Sequence, residues 1–559
     1  MFNSSVHNPP TKIDPIKIAT IGGYGYPWFY KAIDSAAWLW STGKCETNEI
    51  HLIFHYFPEP VTVNSLIAYL ERSTLAGLIQ KLKKAIFAKR AKDSNLPSYS
   101  GLLLEQDSKK LVVSNVYHKV KIYEYLKAYA SASFIWIDLL IRKKRPLEIL
   151  GLTHRGIRIG DIVASIALRF DFKMAGELGF THTTFHSLFL AIFHVNCSLK
   201  LSIDRYSFVV CPDKVYLPGV LLRAASQIGA ITIITDNLFH EFLTEPFAGI
   251  DFDRHIDINT FALFERYMQN RIKVDSPCLS YMQMLPKRKS FYNWNSKLVC
   301  LQQKAKSTTD IHCIIFLHQI SDAQYLFGLD GYSDLVEWSD ETVTLLSLNP
   351  FVTNILIKFH PANYGYYKAD DIFESNFIKK FSSNSKISFV DPHTPLSSLI
   401  SIPNLIGITH HGSVAEELIY LHIPVIASSF SPWGDLFDFV TFKWSRRVAY
   451  VECLENLHPA NMLCVEKFQL DSLRDYVVNY RINSVEYLFR ECPYKFSYYL
   501  NKQAILLDSN YNEYLSALLA FPPDSLEISY FVSWLSDPAS RIEYLEYAKT
   551  YRKNICTKA

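Results

Sequence analysis

The residues whose types and spacing could do chemistry crowd into five short loops in the second half of the chain. Each loop follows a short apolar run. His318-Gln319-Ile320-Ser321-Asp322 follows IHCIIFL (311–317), His360-Pro361 follows ILIKF (355–359), and Asp391-Pro392-His393-Thr394-Pro395 follows ISFV (387–390). His410-His411-Gly412-Ser413 follows LIGI (405–408), and Ser428-Ser429 follows VIA (425–427). Four of the five loops carry His. Imidazoles beside a diphosphate can donate hydrogen bonds and offset the charge that develops on a departing phosphate. Gly412 permits close backbone approach, and Ser413 adds a hydroxyl. A helix starting at Ser413 would aim its N–H groups and its positive dipole end at the same edge. Glu416, one turn inside that helix, could reach the hydroxyls of a ribose whose phosphates sit at the helix start. This chemistry requires no metal, and Asp251-Phe252-Asp253 has the letters of a D-x-D motif but falls in an irregular stretch.

Stepping from loops to elements, near-continuous apolar strands alternating with helical segments predict a parallel sheet covered on both faces. In an open sheet of that kind, ligands bind outside the carboxyl ends of the strands, where these loops lie. The first half opens in the same way: a strand at 16–21, the turn Gly22-Gly23-Tyr24-Gly25, a helix from about Trp28 and a second strand at 50–57. Helical patterns follow at 65–92 and 118–147, and a strand, helix and strand at 207–211, 220–228 and 230–235. Residues 271–310 mix Pro, Ser and Lys without a period and read as a crossover. The expected organisation is a first α/β domain at 1–270, the linker 271–310, a second α/β domain at 311–465 and a helical segment at 466–559.

The chain has 559 residues with 57 Lys+Arg against 54 Asp+Glu, a net charge of +3 that argues against a nucleic-acid-coating protein. Its 49% hydrophobic content supplies ample core, and the 20 glycines exclude collagen-like or glycine-linker architectures. None of the 10 cysteines forms a C-x-x-C pair, which fits a reducing, cytoplasmic compartment. The polar start, MFNSSVHNPPTKIDP, lacks the apolar region of a signal peptide. The most apolar stretches, 130–141 and 188–195, are too short to span a bilayer. The basic run 81–92 reads as a solvated helix face, with attraction to anionic lipid as the other reading.

The runs ILIKFHP (355–361) and HHGSVAEELIYLHIPVIAS (410–428) resemble the C-terminal half of GT-B glycosyltransferases, most of all those of surface and capsular polysaccharide biosynthesis. FLHQISDAQYLFGLDGYSDLVEW (316–338) is similar to the segment that opens this half, and THRGIRIGDIVASIALR (153–169) to a recurrent stretch of the first half. The resemblance implies two Rossmann-like domains facing each other across a cleft, donor nucleotide on the second and acceptor on the first. By position it implies that His360 and Pro361 meet the donor phosphate, Gly412 and Ser413 the phosphate or sugar, and Glu416 the ribose. It places His318, Ser321, Thr394 and His411 around the same nucleotide. The donor would be a CMP- or UDP-linked sugar and the acceptor a glycan or lipid-linked glycan. Work at the inner face of a membrane, with peripheral contact, stays open, and no cofactor, metal or nucleic acid is expected. The pattern departs from the family in lacking an E-x(7)-E signature and in doubling His410-His411.

Inverting transfer needs a group that takes the proton of the acceptor hydroxyl. Asp161 is the favoured base, ahead of His154, Asp213 and Asp236, with His360 as the other catalytic group. Gly23, His154 and Arg155 are the acceptor-side candidates. Asp391 with Thr394 could instead cap a helix, His393 and His422 read as turn residues, and Glu417 reads as structural. The rival functions are a nucleotide-sugar epimerase or polyol-phosphate transferase on the same fold, and a non-catalytic scaffold of glycan assembly.

Overall fold

The computed structural model describes residues 16–21, 49–56, 102–106, 109–117, 122–141, 149–170, 182–200, 208–211, 216–227, 232–235, 244–247, 310–322, 324–326, 331–361, 368–399, 401–428 and 437–476. The expected helices near Trp28 and at 65–92, the turn holding Gly23, Asp213, Asp236, the 271–309 crossover and the segment beyond 476 lie outside these residues.

The first half builds one sheet from β1 (Ile16–Ile21), β2 (Glu49–Tyr56), β3 (Leu102–Gln106), β4 (Lys109–Tyr117), β7 (Phe208–Cys211), β8 (Thr232–Thr235) and β9 (Thr244–Phe247). Its order is β3-β4-β2-β1-β7-β8-β9. The five central strands run parallel, while β3 and β9 pair antiparallel at the two edges. Around it lie α1 (Ile122–Ile141), α2 (Gly160–Phe170), α3 (His182–Ser198) and α4 (Tyr216–Gln227). A small hairpin of β5 (Thr153–His154) and β6 (Ile157–Arg158) precedes α2. Its two-residue turn sets Arg155 and Gly156 at φ 53° and 80°, the left-handed pair that suits the twist of a tight hairpin.

The second half builds a sheet from β10 (Ile311–Phe316), β11 (Val352–Lys358), β12 (Ile387–Val390), β13 (Leu405–Thr409), β14 (Val425–Ser428) and β15 (Phe442–Trp444). All its pairings are parallel and its order is β12-β11-β10-β13-β14-β15. Both sheets thus start in the middle, wind outward one way and then reverse, which is the doubly wound plan. The α/β class and the two Rossmann-like units of a GT-B chain, expected from the sequence, are what this topology displays.

Alternation along the buried strands feeds two cores. Cys313 and Ile315 of β10, Ile355 and Ile357 of β11, and Ile406 and Ile408 of β13 face α5 (Leu335–Leu348), α6 (Lys368–Phe381) and α8 (Arg447–Glu455). Ile314 and Phe316, Leu356 and Leu405 face α7 (Val414–Tyr420) and α9 (Lys467–Tyr476). Gly407 is where α7 comes closest, since a Cβ there would lie 2.5 Å from Leu418 Cδ1.

Helix α2 belongs to both units. Its Ile162, Val163 and Ile166 pack with Leu188 and Ile192 of α3. Its Ala164, Ala167 and Leu168 belong to the core of the second sheet, which also holds Trp338 and Phe373. A helix with apolar residues on opposite faces has to be covered on both, and here the two units do the covering. The chain enters α2 so close to the preceding turn that a Cβ on Gly160 would fall 1.8 Å from the Ile149 carbonyl oxygen. Gly160→Ala is therefore expected to cost at least about 2 kcal/mol, read as a lowered denaturant midpoint. An unchanged midpoint would show that the turn relaxes without loss.

Candidate active site

The strand register decides which side chains meet at the edge of the second sheet. Phe316 of β10 pairs with Lys358 of β11 and with Thr409 of β13. Two residues further on in each strand stand His318, His360 and His411. All three follow the ends of neighbouring strands, at the reversal point of the sheet, and His360 is close enough to act on the His318 ring. His318 and His411 stack with ring centroids 4.1 Å apart and planes 21° apart. His410, one residue earlier and so on the other parity, is fully buried and stands edge-on to Trp338 and Trp444 at 5.5 and 5.3 Å.

Hydrogen bonds fix part of the proton inventory. The His411 N–H donates to His318 Nε2 at 3.2 Å. Gly412 N–H donates to Thr409 Oγ1 at 3.2 Å, so the Thr409 hydroxyl hydrogen is available to His318 Nε2, 3.1 Å away. His318 Nε2 is therefore an acceptor, and a neutral His318 carries its proton on Nδ1. Nδ1 of His410 and Nδ1 of His411 are 2.9 Å apart, so between two neutral rings only one of these atoms holds a proton. Burial is the main force holding all three imidazoles well below the ordinary value of 6.5, with His411 and His360 adding to the effect at His318, His318 at His410, and His410 at His411. At neutral pH the group offers hydrogen bonds rather than positive charge. Among the described residues no cluster of His, Cys, Asp and Glu is placed to hold a metal ion.

His360 is also kept neutral, first by burial; the Asp322 carboxylate acts on it in the opposite sense and Lys358 in the same sense as burial. Lys358 is a site residue that the sequence reading passed over. Its ammonium donates to the carbonyls of Asp391, Pro392 and Thr394 and so ties the loop after β12 to the end of β11. Burial pulls its pKa down to about 8 against the charges of Asp391 and Glu417. The signal was a single lysine inside the apolar run ILIKF. Asp370, at the start of α6, was missed as well. It accepts from Ser321 N–H, the Ser321 hydroxyl and Gln319 Nε2, and shapes the loop that carries His318. No spacing in the sequence links it to that loop.

Several expected site residues have other partners. Ser321 is buried with its hydroxyl given to Asp370, so it supports the loop rather than facing a ligand. Thr394 is buried and its carbonyl serves Lys358. The Asp391 side chain accepts from His393 N–H at 2.7 Å, a turn closure and not a helix cap shared with Thr394. Glu416 has 0% exposure and accepts from the Tyr476 hydroxyl at 3.3 Å, so the ribose contact assigned to it does not fit its position under α7. Gly412, Ser413 and Pro361 stay at the edge: Ser413 is exposed and the other two half-buried. The helix that follows Gly412 and Ser413 is only 7 residues long. A Cβ on Gly412 would lie 2.6 Å from Thr409 Oγ1 and 3.2 Å from the His318 ring, so this glycine is what lets the two loops close on each other.

The acceptor-side candidates stay in the first unit. His154 Nε2 is 3.2 Å from the Asn196 side-chain oxygen on α3, and the Arg155 carbonyl accepts from Gln227 in α4. Asp161 corrects the expectation of a base. Both its oxygens receive Arg223 at 2.7 and 2.6 Å in the interior. Burial works against its charge, yet Arg223 and then Arg158 hold the carboxyl below its ordinary range. A carboxylate committed in this way takes no proton from a hydroxyl. The first unit instead touches the site loop through Arg169 and Tyr216. Arg169 lies 3.5 Å over the Tyr216 ring, and the Tyr216 hydroxyl is 3.2 Å from both the Ser321 carbonyl and Asp322 Oδ1.

Two outcomes follow. Asp161→Ala leaves Arg223 buried without its counter-charge and should lower stability by about 3–5 kcal/mol, measured by denaturant unfolding. A variant of normal stability without activity would restore the base assignment. The depressed imidazoles also set a sign. Below about 6.5 the unfolded chain binds protons that the native chain refuses, so stability falls as pH falls through that range. The thermal midpoint should drop between neutral pH and about pH 5, and less steeply in His318→Gln. A flat profile would contradict the buried neutral group.

No known protein family and no curated protein matches the chain. Among solved structures it is similar to HepE of Anabaena in complex with UDP and glucose, at 10% identity over 85% of this chain and 98% of that one, with a TM-score of 0.25. It is similar also to trehalose 6-phosphate synthase of Burkholderia multivorans, at 9% identity over 94% and 99% of the two chains, TM-score 0.25. A third is UDP-GlcNAc 2-epimerase of Methanocaldococcus jannaschii in complex with UDP-GlcNAc and UDP, at 12% identity over 53% and 80%, TM-score 0.23. The fold rests on the strand order of the two sheets, and the site on the residues described above.

Proposed function

We propose that the chain is a metal-independent GT-B glycosyltransferase. It moves a sugar from a CMP- or UDP-linked donor to a surface polysaccharide or glycolipid acceptor, inside the cell and at the inner face of the membrane. The observation that carries this reading is the neutral imidazole group of His318, His410 and His411, closed by Thr409 and Gly412 at the reversal point of the second sheet. Ligands of doubly wound sheets bind at that point. Preorganised neutral donors suit a leaving phosphate whose charge grows as the glycosidic bond breaks.

In this reading His318, through Nδ1–H, and His411 with the Gly412-Ser413 turn receive the donor phosphates. Lys358 keeps the neighbouring 391–394 loop in place. His360 is the proton acceptor in place of Asp161. It is neutral at working pH, and the Asp322 carboxylate favours the cation it becomes. The acceptor oxygen forms its bond to the anomeric carbon, its proton goes to His360, and the bond to the nucleotide phosphate breaks with its electron pair leaving on the phosphate. The first unit presents the acceptor, and its Arg169 and Tyr216 couple it to the loop of His318.

Calorimetric titration of the full chain with CMP, UDP and GDP tests the reading. One nucleotide should bind. His318→Ala should weaken that binding by about tenfold or more. His360→Gln should keep binding and lower turnover by about a hundredfold or more. The acid limb of the wild-type rate should lie below 6.5, the side to which burial moves His360. Failure of all three nucleotides to bind would favour a scaffold, and turnover of the donor sugar without an acceptor would favour an epimerase.

A further inference from the structure

Arg169, at the carboxyl end of α2, and Tyr216, the first residue of α4, belong to the first unit, yet both meet the loop that follows β10 in the second. The Tyr216 hydroxyl has one hydrogen and two acceptors at 3.2 Å, the Ser321 carbonyl and Asp322 Oδ1. Arg169 Nε donates to the same carbonyl at 3.4 Å. Its guanidinium lies over the Tyr216 ring at 3.5 Å and reaches to 3.9 Å from Asp322 Oδ1. Asp370 of the second unit holds Ser321 through its N–H and its hydroxyl. The end of this loop is thus gripped by both units.

The backbone supplies an independent observation. Tyr216 has φ 52°, a left-handed value that a bulky L side chain adopts only under constraint. Conformations of this kind gather where function requires a side chain in one place. Here the place is the boundary between the units, where the hydroxyl meets a carboxylate.

The use of that carboxylate emerges from a contrast with Asp161. Asp161 is buried and receives Arg223 at 2.7 and 2.6 Å, which commits its charge. Asp322 has Arg169 at 3.9 Å, beyond hydrogen-bond range, with that guanidinium stacked on a ring. Its charge acts on His360, in the loop after β11. Among the described residues, the other charged or titratable groups around His360 are Lys358 of β11, which opposes Asp322, and His318. A base that becomes a cation as it takes a proton is stronger beside an oriented carboxylate.

We infer that Tyr216 is a positioning residue for the transfer: from the first unit its hydroxyl holds the Asp322 carboxylate toward His360, so that the proton acceptor reaches full strength only with the two units seated together. This role rests on the proposed function, in which His360 takes the acceptor's proton.

Histidine NMR of the full chain, labelled at the imidazole Cε1, tests it, the His360 signal being the one lost in His360→Gln. Its titration midpoint should lie below 6.5 in the wild type. Asp322→Asn keeps the size of the side chain and an oxygen for Tyr216 but removes the charge, and should lower that midpoint by about half a pH unit. Tyr216→Phe keeps the ring and the Arg169 stack. It should move the midpoint the same way by a smaller step, because a carboxylate released from the hydroxyl is drawn to Arg169. The acid limb of the transfer rate should move down in both variants. A His360 midpoint unmoved by Asp322→Asn overturns the inference. So does one unmoved by Tyr216→Phe, and a thermal midpoint that falls in that variant would then make the residue one of packing alone. The NMR midpoints are read without substrate. Unmoved midpoints in a chain that binds a nucleotide overturn this inference alone. A chain that binds none, with midpoints that move as expected, overturns the reading of the reaction and leaves the coupling of Tyr216, Asp322 and His360 in place.

Discussion

Everything proposed for the site depends on the register of three parallel strands. With Phe316, Lys358 and Thr409 level at the ends of β10, β11 and β13, the loops that follow start from one row and bring His318 and His411 together, with His410 turned to Trp338 and Trp444. A shift by one residue in any of these pairings would exchange that strand's two faces and displace the start of the loop that carries its imidazole. The register is itself held by burial. Every residue of β10 and of β13 is buried, and their alternate apolar side chains enter two different cores. A slip would exchange all of those positions between cores of different shape, at a cost far above that of losing one hydrogen bond. The chemistry of the edge is in this sense a by-product of hydrocarbon packing several residues back in each strand.

A second constraint joins the halves. Helix α2 is shared by two cores, and its carboxyl end delivers Arg169 to the loop of His318. The R-G-I-R-I-G-D stretch thereby gains a physical account. The positive φ of Arg155 and Gly156 turns the hairpin, Gly160 lets the chain pass the Ile149 carbonyl, and Asp161 anchors α2 to α4 through Arg223. These roles are structural, and together they set the position of one unit on the other. Movement between the units would have to slide α2 across one of its two cores or carry it along with one of them, and either course would disturb the contact of Tyr216 with the Ser321 carbonyl.

The second sheet was legible because its strands are short, apolar and separated by helices, and all five expected runs overlap observed strands. The sixth strand, Phe442–Trp444, has only three residues with one side chain fully buried, too brief for a period to show. The hairpin of β3 and β4 was overlooked for another reason. Its apolar pairs, Leu102 to Leu104 opposite Val113 to Leu111, are few, and the turn end is polar, with Glu105 opposite Lys110 and Gln106 opposite Lys109. At the site, the sequence identified which loops meet but not what each side chain holds. Asp161 and Arg223 are 62 positions apart, and Glu416 and Tyr476 60 apart. A carboxylate paired over such a distance looks the same in sequence as one waiting for a substrate. The histidines stood out because four loops carried them at once, and three of those loops, after β10, β11 and β13, bring theirs to one end of the sheet.

The cations near the edge point to how an anion would be held there. Lys358 spends its ammonium on three carbonyls, Arg447 is divided between Glu337 and Glu341, and Arg169 lies on Tyr216. Among the described residues, each of these charges supports a loop or helix. In the proposed function, a nucleotide phosphate at this edge would meet the oriented dipoles of the neutral imidazoles. Dipoles fall off faster with distance than charges do, and a buried ring fixed by Trp338, Trp444 and its own neighbours needs no reorientation when charge appears. The same burial that strips the imidazoles of their protons also makes them selective in time. They interact weakly with a dispersed ground-state charge at a distance and strongly with charge that concentrates on the contacting oxygen, which is the condition for favouring a transition state over the bound donor.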